Sequence, residues 1–256
     1  MTQDERRSYL INAFLKERKE EGTTVPDGRE AQRRLLRGLM NVRPPRAIDS
    51  RVLQVQDEYL QAELAEKGVT EAAALTPVQP GICLWQGDIT TLRCDAIVNA
   101  ANSGMTGCYV PNHKCIDNCI HTFSGVQLRL RCAELMAAQG HGEPTGQAKI
   151  TPAYNLPCRY VLHTVGPIIS GRPTARDAEK LASCYRSCLA LAAENGLESV
   201  AFCCVSTGEF HYPNREAAEI AIREVRGFLE QGSSVSRVVF NVFKNEDWEI
   251  YASLLA

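Results

Sequence analysis

The sequence predicts an α/β fold, a three-layer α/β/α sandwich around a mixed central sheet, with a helical extension at the N-terminus. Strand-like runs alternate with helical stretches from Ile82 onward, which is typical of a mostly parallel sheet covered on both faces. The residues before the linker show helical periodicity instead. A proline-rich linker over residues 76–81 separates the two parts, so we predict an extension over 1–75 and a main domain over 76–256.

We expect three short helices in the extension. The first has four apolar residues on one face: Leu10, Ile11, Phe14 and Leu15. Gly22 can end this helix, Asp27 can begin the second, and the third should run from about Ile48 to Lys67. The extension is either a solubilising appendage or a wall of the ligand site, and the sequence leaves both interpretations open.

The main domain alternates strands and helices in chain order. Strands are predicted over residues 82–85, 95–99, 148–151, 160–165, 199–205 and 237–243. Helices are predicted over residues 116–139, 175–195 and 214–230, and from Asp247 to the last residue. Asn195 and Gly196 should stop the second of these helices.

The composition of the chain disfavours several classes of partner. Its 28 Lys and Arg are matched by 30 Asp and Glu, so no net positive field attracts a nucleic acid. The longest apolar runs fall far short of the roughly 20 residues needed to cross a bilayer. The first residues lack the apolar segment of a secretory signal. We therefore expect a cytoplasmic protein with no nucleic-acid partner and no membrane partner.

The chain contains eleven cysteines. In a reducing compartment, metal ligation is favoured over a disulfide framework. Eight cysteines lie among apolar neighbours, where a thiol behaves as a small hydrophobe, and we predict that they belong to the core: Cys83, Cys94, Cys132, Cys158, Cys184, Cys188, Cys203 and Cys204.

Three segments follow predicted strands at the positions where α/β sheets bind ligands, beyond the carboxyl ends of the strands. Residues 87–90 (GDIT) follow the first strand, residues 100–102 (AAN) the second, and residues 206–210 (STGEF) the fifth. The last segment is rich in small residues, so its backbone amides can surround a phosphate.

Together these segments resemble the macrodomain family, in which a Gly-Asp-Ile-Thr turn, a Val-Asn-Ala-Ala-Asn strand end and a Ser-Thr-Gly loop surround ADP-ribose. The matching stretches here are residues 87–90, 98–102 and 206–208, in the family's order, and the resemblance covers about residues 81–256. The resemblance implies a cleft that binds ADP-ribose.

Residues 107–121 read GCYVPNHKCIDNCIH, where most macrodomains carry a run of glycines. Two thiolates and an imidazole within eight residues favour tetrahedral zinc and leave one position for water or substrate. This loop resembles that of the zinc-dependent macrodomains of microbes, which implies one zinc ion per chain held by Cys108, His113 and Cys115. The alternatives are a closed structural site with Cys119 as fourth ligand, or a loop without metal.

The resemblance also implies roles for individual residues. Asp88 would accept from the adenine amino group beside the Ile89 amide, while Asn102 and Asp117 would be catalytic residues that hold the distal ribose. The full set implied to contact ADP-ribose is Asp88, Ile89, Asn102, Cys115, Ile116, Asp117, Ser206, Thr207, Gly208, Glu209, Phe210 and Phe243. The ordinary alternatives are turn formation for Asp88, a turn or cap for Asn102, an N-cap for Asp117, and core packing for both phenylalanines.

The function implied is zinc-dependent hydrolysis of the bond between the distal ribose of ADP-ribose and an acidic side chain of a modified protein. The partners would be ADP-ribose and a mono-ADP-ribosylated protein. Zinc-dependent macrodomains are associated with sirtuin-type transferases that modify lipoyl-carrier proteins, so that substrate class is implied too. Two alternatives use the same pocket: a reader module that binds ADP-ribose without turnover, and a deacetylase of O-acetyl-ADP-ribose.

Overall fold

The computed structural model describes all residues from Met1 to Ala256. The extension forms the three predicted helices, α1 (Gln3–Glu17), α2 (Arg29–Val42) and α3 (Ser50–Lys67). Two predicted boundaries are wrong. Helix α1 ends at Glu17, well before Gly22, and the N-cap of α2 is Gly28, at φ +89°, so Asp27 does not cap it.

The extension has a small apolar core of its own. It is built from residues of all three helices and one residue of the main domain: Leu10, Ile11, Phe14, Leu15, Leu36, Leu39, Met40, Val55, Tyr59, Leu60 and Val126. The predicted apolar face of α1 is therefore confirmed. Because Val126 completes this cluster, the extension packs directly on the main domain.

The main domain is built on a six-stranded mixed sheet. Its strands are β2 (Ile82–Gln86), β4 (Ala96–Ala100), β5 (Ala148–Pro152), β6 (Tyr160–Thr164), β7 (Ser199–Phe202) and β8 (Arg237–Val242). They lie in the order β2-β8-β7-β4-β6-β5, and only β5 runs antiparallel to its neighbour. Two short strands, β1 (Thr70–Glu71) and β3 (Leu92–Arg93), pair in parallel outside this sheet.

Five helices accompany the sheet: α4 (Ile116–Ser124), α5 (Val126–Gln139), α6 (Ala175–Glu194), α7 (Asn214–Glu230) and α8 (Asn245–Leu255). The single helix predicted over residues 116–139 is wrong. Gly125 breaks it, because its φ of +102° lies in a region that residues with a side chain rarely adopt. None of the helices is long and apolar enough to span a bilayer.

The predicted core cysteines lie in the apolar interior of the main domain, with one exception. Seven of the eight are buried, whereas Cys204 is partly exposed. Burial raises the thiol pKa of Cys158 to about 12, so this thiol stays protonated. The buried cysteines behave as core side chains.

Candidate active site

The parallel strands bring three predicted ligand segments to one edge of the sheet. Strands β2, β8, β7, β4 and β6 all run in the same direction, so their carboxyl ends share an edge. The turn after β2, the loop after β4 and the loop after β7 all leave from it. The long loop after β4 leads to the N-terminus of α4, whose amides carry positive partial charge.

Asp88 forms the turn that follows β2. One carboxylate oxygen accepts from the Thr90 backbone N–H at 3.0 Å and from the Thr90 hydroxyl at 2.6 Å. The other lies 3.2 Å from Lys67 Nζ. Asp88 therefore has the turn-forming role that was the alternative interpretation of this residue. The side chain is also 39% exposed, so the carboxylate remains accessible to a ligand. Its contact with adenine stays a prediction, as does that of Ile89, whose side chain is buried.

The segment over residues 206–210, called the phosphate loop below, has hydrogen-bond donors without a protein partner. The backbone amides of Gly208, Glu209 and Phe210 donate to no protein acceptor. The hydroxyl of Ser206 is buried and also unpaired. Ser206 itself sits at φ +66°, in the left-handed region. A concave run of unpaired amides is the arrangement by which loops bind phosphate.

The two phenylalanines differ in burial. Phe210 is half-buried and packs against the main core, while its carbonyl accepts from Ile169 at 2.8 Å. Phe243, directly after β8, is 76% exposed. Core packing is therefore wrong as an explanation of Phe243, whose ring face is available for stacking.

Asn102 and Asp117 lie in direct contact. Asn102 Nδ2 donates to Asp117 Oδ2 at 3.2 Å and to the Gly107 carbonyl at 3.1 Å. Asn99 donates to the other oxygen of Asp117 at 2.9 Å. Asp117 is a residue of α4, and Cys115 occupies the N-cap position, so the N-cap interpretation of Asp117 is wrong.

Burial controls the charge of Asp117. It raises the pKa of this carboxyl to about 6, and the hydrogen bonds from Asn99 and Asn102 together with the charge of Arg129 limit the rise. The group is thus mainly a carboxylate at neutral pH, held by two amide donors. The backbone amides of Ile116 and Asp117 donate to no protein acceptor. The first turn of α4 therefore presents donors and a carboxylate to one cleft.

Residues 108–115, called the metal loop below, gather three ligand atoms. One from each of Cys108, His113 and Cys115 lies within 4.8 Å of the other two. The Cys108 Sγ to His113 Nδ1 distance is 3.6 Å. Zinc–ligand lengths of about 2.3 Å for sulfur and 2.0–2.1 Å for nitrogen, at a tetrahedral angle, place the two atoms about 3.6 Å apart. The residues present therefore fit a zinc ion.

Burial raises the pKa of the Cys115 thiol, and the neighbouring Cys108 sulfur adds to the rise, so that this pKa reaches about 12 despite a hydrogen bond from the Asn118 amide. The Cys115 thiol therefore resists ionisation until a cation compensates its charge, which is typical of a thiolate metal ligand.

The other side of the His113 ring faces a carboxylate. His113 Nε2 lies 3.6 Å from Glu209 Oε1 of the phosphate loop. Nδ1 is thereby the ring nitrogen that faces Cys108 and would be the ligand atom, while Nε2 faces Glu209. Cys119 does not join the cluster. Its sulfur instead lies 3.4 Å from Arg37 Nη2, which disfavours a closed site with Cys119 as fourth ligand.

A second cluster of metal-type side chains, His121, Cys132 and His163, lies buried beneath the site. Asn99 Nδ2 lies 3.1 Å from His163 Nδ1, and this nitrogen must accept because the same amide group donates to Asp117. The proton of His163 is therefore on Nε2, 2.9 Å from the Thr151 hydroxyl. Neither ring nitrogen of His163 is left to bind a metal, so this cluster is a polar core.

The comparisons with known proteins agree with this geometry. Residues 98–221 match the Macro domain family. A Protein-ADP-ribose hydrolase of Treponema medium is 56% identical to this chain, over 100% of both chains. This chain belongs to the macrodomain family. A Protein-ADP-ribose hydrolase of Staphylococcus aureus strain MSSA476 is 49% identical over 96% of this chain and 93% of its own.

The fold of this macrodomain also matches solved structures. The crystal structure of the Trypanosoma brucei macrodomain in complex with ADP-ribose aligns with a TM-score of 0.67 at 33% identity, covering 82% of this chain and 92% of that chain. The predicted family and the predicted α/β sandwich are thereby confirmed.

Four polar residues of this macrodomain's site were not found from the sequence: Asn99, Asn118, Arg37 and Arg129. Asn99 interrupts an apolar strand, and a buried amide in such a run is a signal that could have been used. Asn118 donates to the Cys108 carbonyl at 3.3 Å from within α4. Arg37 belongs to α2 and Arg129 to α5. The sequence alone does not distinguish an arginine that packs inside the protein from one on a solvent-exposed helix face.

Proposed function

We propose that this macrodomain is a zinc-dependent hydrolase that removes mono-ADP-ribose from acidic side chains of modified proteins. The single observation that supports the zinc dependence is the 3.6 Å separation of Cys108 Sγ and His113 Nδ1, the edge length of a tetrahedral zinc site. The hydrolase activity rests on the two relatives named Protein-ADP-ribose hydrolase, which match nearly the whole chain at 56% and 49% identity.

Different residues of the chain bind the adenine, the diphosphate and the distal ribose of ADP-ribose. The Asp88 carboxylate accepts from the adenine amino group, and Phe243 offers a ring face to the base. The free amides of the phosphate loop bind the diphosphate. At the scissile end, Asn102 and Asp117 orient the distal ribose, which contributes to catalysis by fixing the reacting bond.

A bound zinc ion would supply Lewis acidity, either to activate a water or to polarise a ribose oxygen. Glu209 orients His113 through the ring nitrogen that does not face the thiols. Hydrolysis of the ester adds one water and yields free ADP-ribose and the carboxyl group of the protein. The reaction needs no nucleophilic serine or cysteine.

The substrate protein is a further part of the proposal. The resemblance to zinc-dependent microbial macrodomains points to a lipoyl-carrier protein modified by a sirtuin-type transferase, in the cytoplasm. Release from such a carrier can be compared with release from an unrelated protein mono-ADP-ribosylated on glutamate. Equal kcat/KM values for the two would contradict the carrier assignment and leave the hydrolase assignment intact.

The zinc dependence is tested by removing its ligands one at a time. Cys108→Ala, His113→Ala and Cys115→Ala should each lose most of the zinc that survives dialysis, measured by elemental analysis. Release of ADP-ribose from modified protein should fall about 100-fold or more, because a metal's Lewis acidity contributes several kcal/mol. Calorimetric affinity for ADP-ribose should change much less, since Asp88, Phe243 and the phosphate loop, which would hold the adenine and the diphosphate, are unchanged in these variants.

Cys119→Ala is the matched control. Its thiol lies one helical turn beyond Cys115 and outside the ligand cluster, so zinc content and hydrolysis should remain near wild type. If Cys119→Ala also strips the zinc, the site is closed and structural. If all four variants keep full hydrolase activity, the metal has no catalytic role. A wild-type protein that binds ADP-ribose and releases none from modified protein would instead be a reader.

A further inference from the structure

The metal loop lacks regular secondary structure and its tip is solvent-exposed, so its shape must be fixed by neighbours. Tyr109 and Val110 are 41% and 56% exposed. Loops that carry metal ligands lose affinity when they must be ordered on binding, because conformational entropy then opposes the metal. The contacts that order this loop come in large part from the N-terminal extension.

Arg37 of α2 reaches the loop beside a ligand residue. Its Nη2 donates to the His113 carbonyl at 2.7 Å and to Asn118 Oδ1 at 3.0 Å. Asn118 in turn donates to the Val110 carbonyl at 3.0 Å. One guanidinium thus fixes the backbone of His113 and, through Asn118, the opposite side of the loop.

Asn41, one helical turn further along α2, holds the loop tip. Its Oδ1 accepts from the Asn112 backbone N–H, and its Nδ2 donates to the Thr122 hydroxyl, both at 2.8 Å. Asn41 is 1% exposed, so this is a buried amide whose nitrogen and oxygen are both hydrogen-bonded. The close approach of helix and loop explains Gly38, where an added Cβ would lie 3.2 Å from the Asn112 side chain.

Arg129 of α5 contacts both helix α2 and the metal loop. Its Nη1 donates to the Asn41 and Arg43 carbonyls, both at 2.6 Å, and so satisfies acceptors at the C-terminal end of α2. Its guanidinium lies 4.2 Å from the centre of the Tyr109 ring, which belongs to the metal loop. Helix α2, helix α5 and the metal loop therefore form one packed unit.

We infer that helix α2 is a structural part of the metal site, with Arg37 and Asn41 as positioning residues that preorganise the three zinc ligands. This inference rests on the proposed function. The extension then acts as a support for the loop, in addition to any effect on solubility. Partners that orient a metal ligand typically change metal affinity by 10–100-fold, and the same scale applies to a residue that orients the ligand's backbone.

The test compares two arginines of α2 in the full chain. Arg37→Met keeps the stem and removes every contact with the loop. Arg33→Met, one turn earlier, loses its ion pair with Glu63 inside the extension and touches no residue of the loop. Zinc dissociation constants are measured by competition with a chromophoric chelator. We expect zinc affinity to fall at least tenfold in Arg37→Met and to stay within twofold of wild type in Arg33→Met.

ADP-ribose affinity, measured without zinc, should stay within twofold of wild type in both variants. Equal zinc affinities in wild type and a folded Arg37→Met would overturn the inference. Equal losses in both arginine variants would also overturn it, because the effect would then be general destabilisation. Wild-type protein that retains no zinc would refute the proposed zinc dependence itself, and the inference with it.

A third measurement needs no variant. The Asn112 amide is bonded to Asn41, whereas the Tyr109 amide donates to no protein acceptor. The measurement uses wild-type protein freed of zinc by a chelator. Hydrogen exchange should therefore be at least tenfold slower at Asn112 than at Tyr109. Equal exchange rates would mean that the loop is not held before zinc binds, and the positioning role would be wrong even if Arg37→Met fails to fold.

Discussion

The buried imidazole of His163 ties the stability of the fold to pH. It lies beneath the active site with no exposed surface, between the Asn99 amide and the Thr151 hydroxyl. Burial lowers its pKa to about 3, since the interior disfavours the charged ring. In the unfolded chain the ring would titrate near pH 6.5. Between these two values the unfolded chain binds one more proton than the folded protein.

This difference in bound protons makes the folded protein less stable as the pH falls. The stabilisation is fully present above pH 6.5 and is lost as the pH falls, at about 1.4 kcal/mol per pH unit, until the folded ring is itself protonated near pH 3. Between pH 7.5 and 4.5, His163 alone should lower the free energy of unfolding by about 2.6 kcal/mol. Solvent screening does not reduce this change in the free energy of unfolding, because the ring is fully buried.

The assay is urea unfolding of zinc-free protein at pH 7.5, 6.5, 5.5 and 4.5, in a chelator so that metal release does not contribute. His163→Asn places an amide oxygen near the position of Nδ1 and cannot titrate. Its stability should be lower at pH 7.5 yet fall by about 2.6 kcal/mol less than wild type by pH 4.5. His141→Asn, at an exposed position, removes a histidine without touching the buried network and serves as control. Parallel pH profiles for wild type and His163→Asn would refute the reasoning.

Three further predictions concern the ligand cleft. Asp88→Ala should weaken ADP-ribose binding by about 1 to 3 kcal/mol in calorimetry, the usual effect of losing a charge-assisted hydrogen bond, and unchanged affinity would leave Asp88 as a turn residue only. Phe243→Ala should lower the affinity by about 0.5 to 1.5 kcal/mol while the melting temperature stays constant, because the ring is 76% exposed; a large loss of stability would contradict this. Glu209→Gln should raise the zinc dissociation constant about tenfold through the His113 ring, the low end of the usual range since the carboxylate is largely exposed. Unaltered zinc affinity there would mean that Glu209 does not orient His113.

Much of the fold was predictable because its signals are local. Apolar runs of strand length predicted all six strands of the main sheet to within a few residues, and helical periodicity predicted the extension. The break between α4 and α5 was missed because its cause is not local. Gly125 lies inside an otherwise continuous helical pattern, but its φ is +102° and an added Cβ would lie 2.7 Å from Gln56 Nε2 of α3. Sequence periodicity does not contain that contact.

The site was predictable only where its residues are consecutive. The phosphate loop and the metal loop each lie within a short segment, so spacing and residue type were enough to propose them. The support of the metal loop was not predictable, because Arg37 lies 76 residues before His113 in the chain. A charged residue on a helix is ordinarily solvated. Arg37 instead contacts the His113 carbonyl because α2 packs on α4.

The first turn of α4 explains why binding and hydrolysis would depend on one structural element. Within three consecutive residues it presents the Cys115 thiol of the proposed zinc site, a free amide from Ile116 and the Asp117 carboxylate that would orient the ribose. The relative position of these three groups is fixed by helical geometry. A small rotation of this helix end would displace all three together. The contacts of Asn99 with Asp117 from below and of Arg37 with Asn118 from the side oppose that rotation.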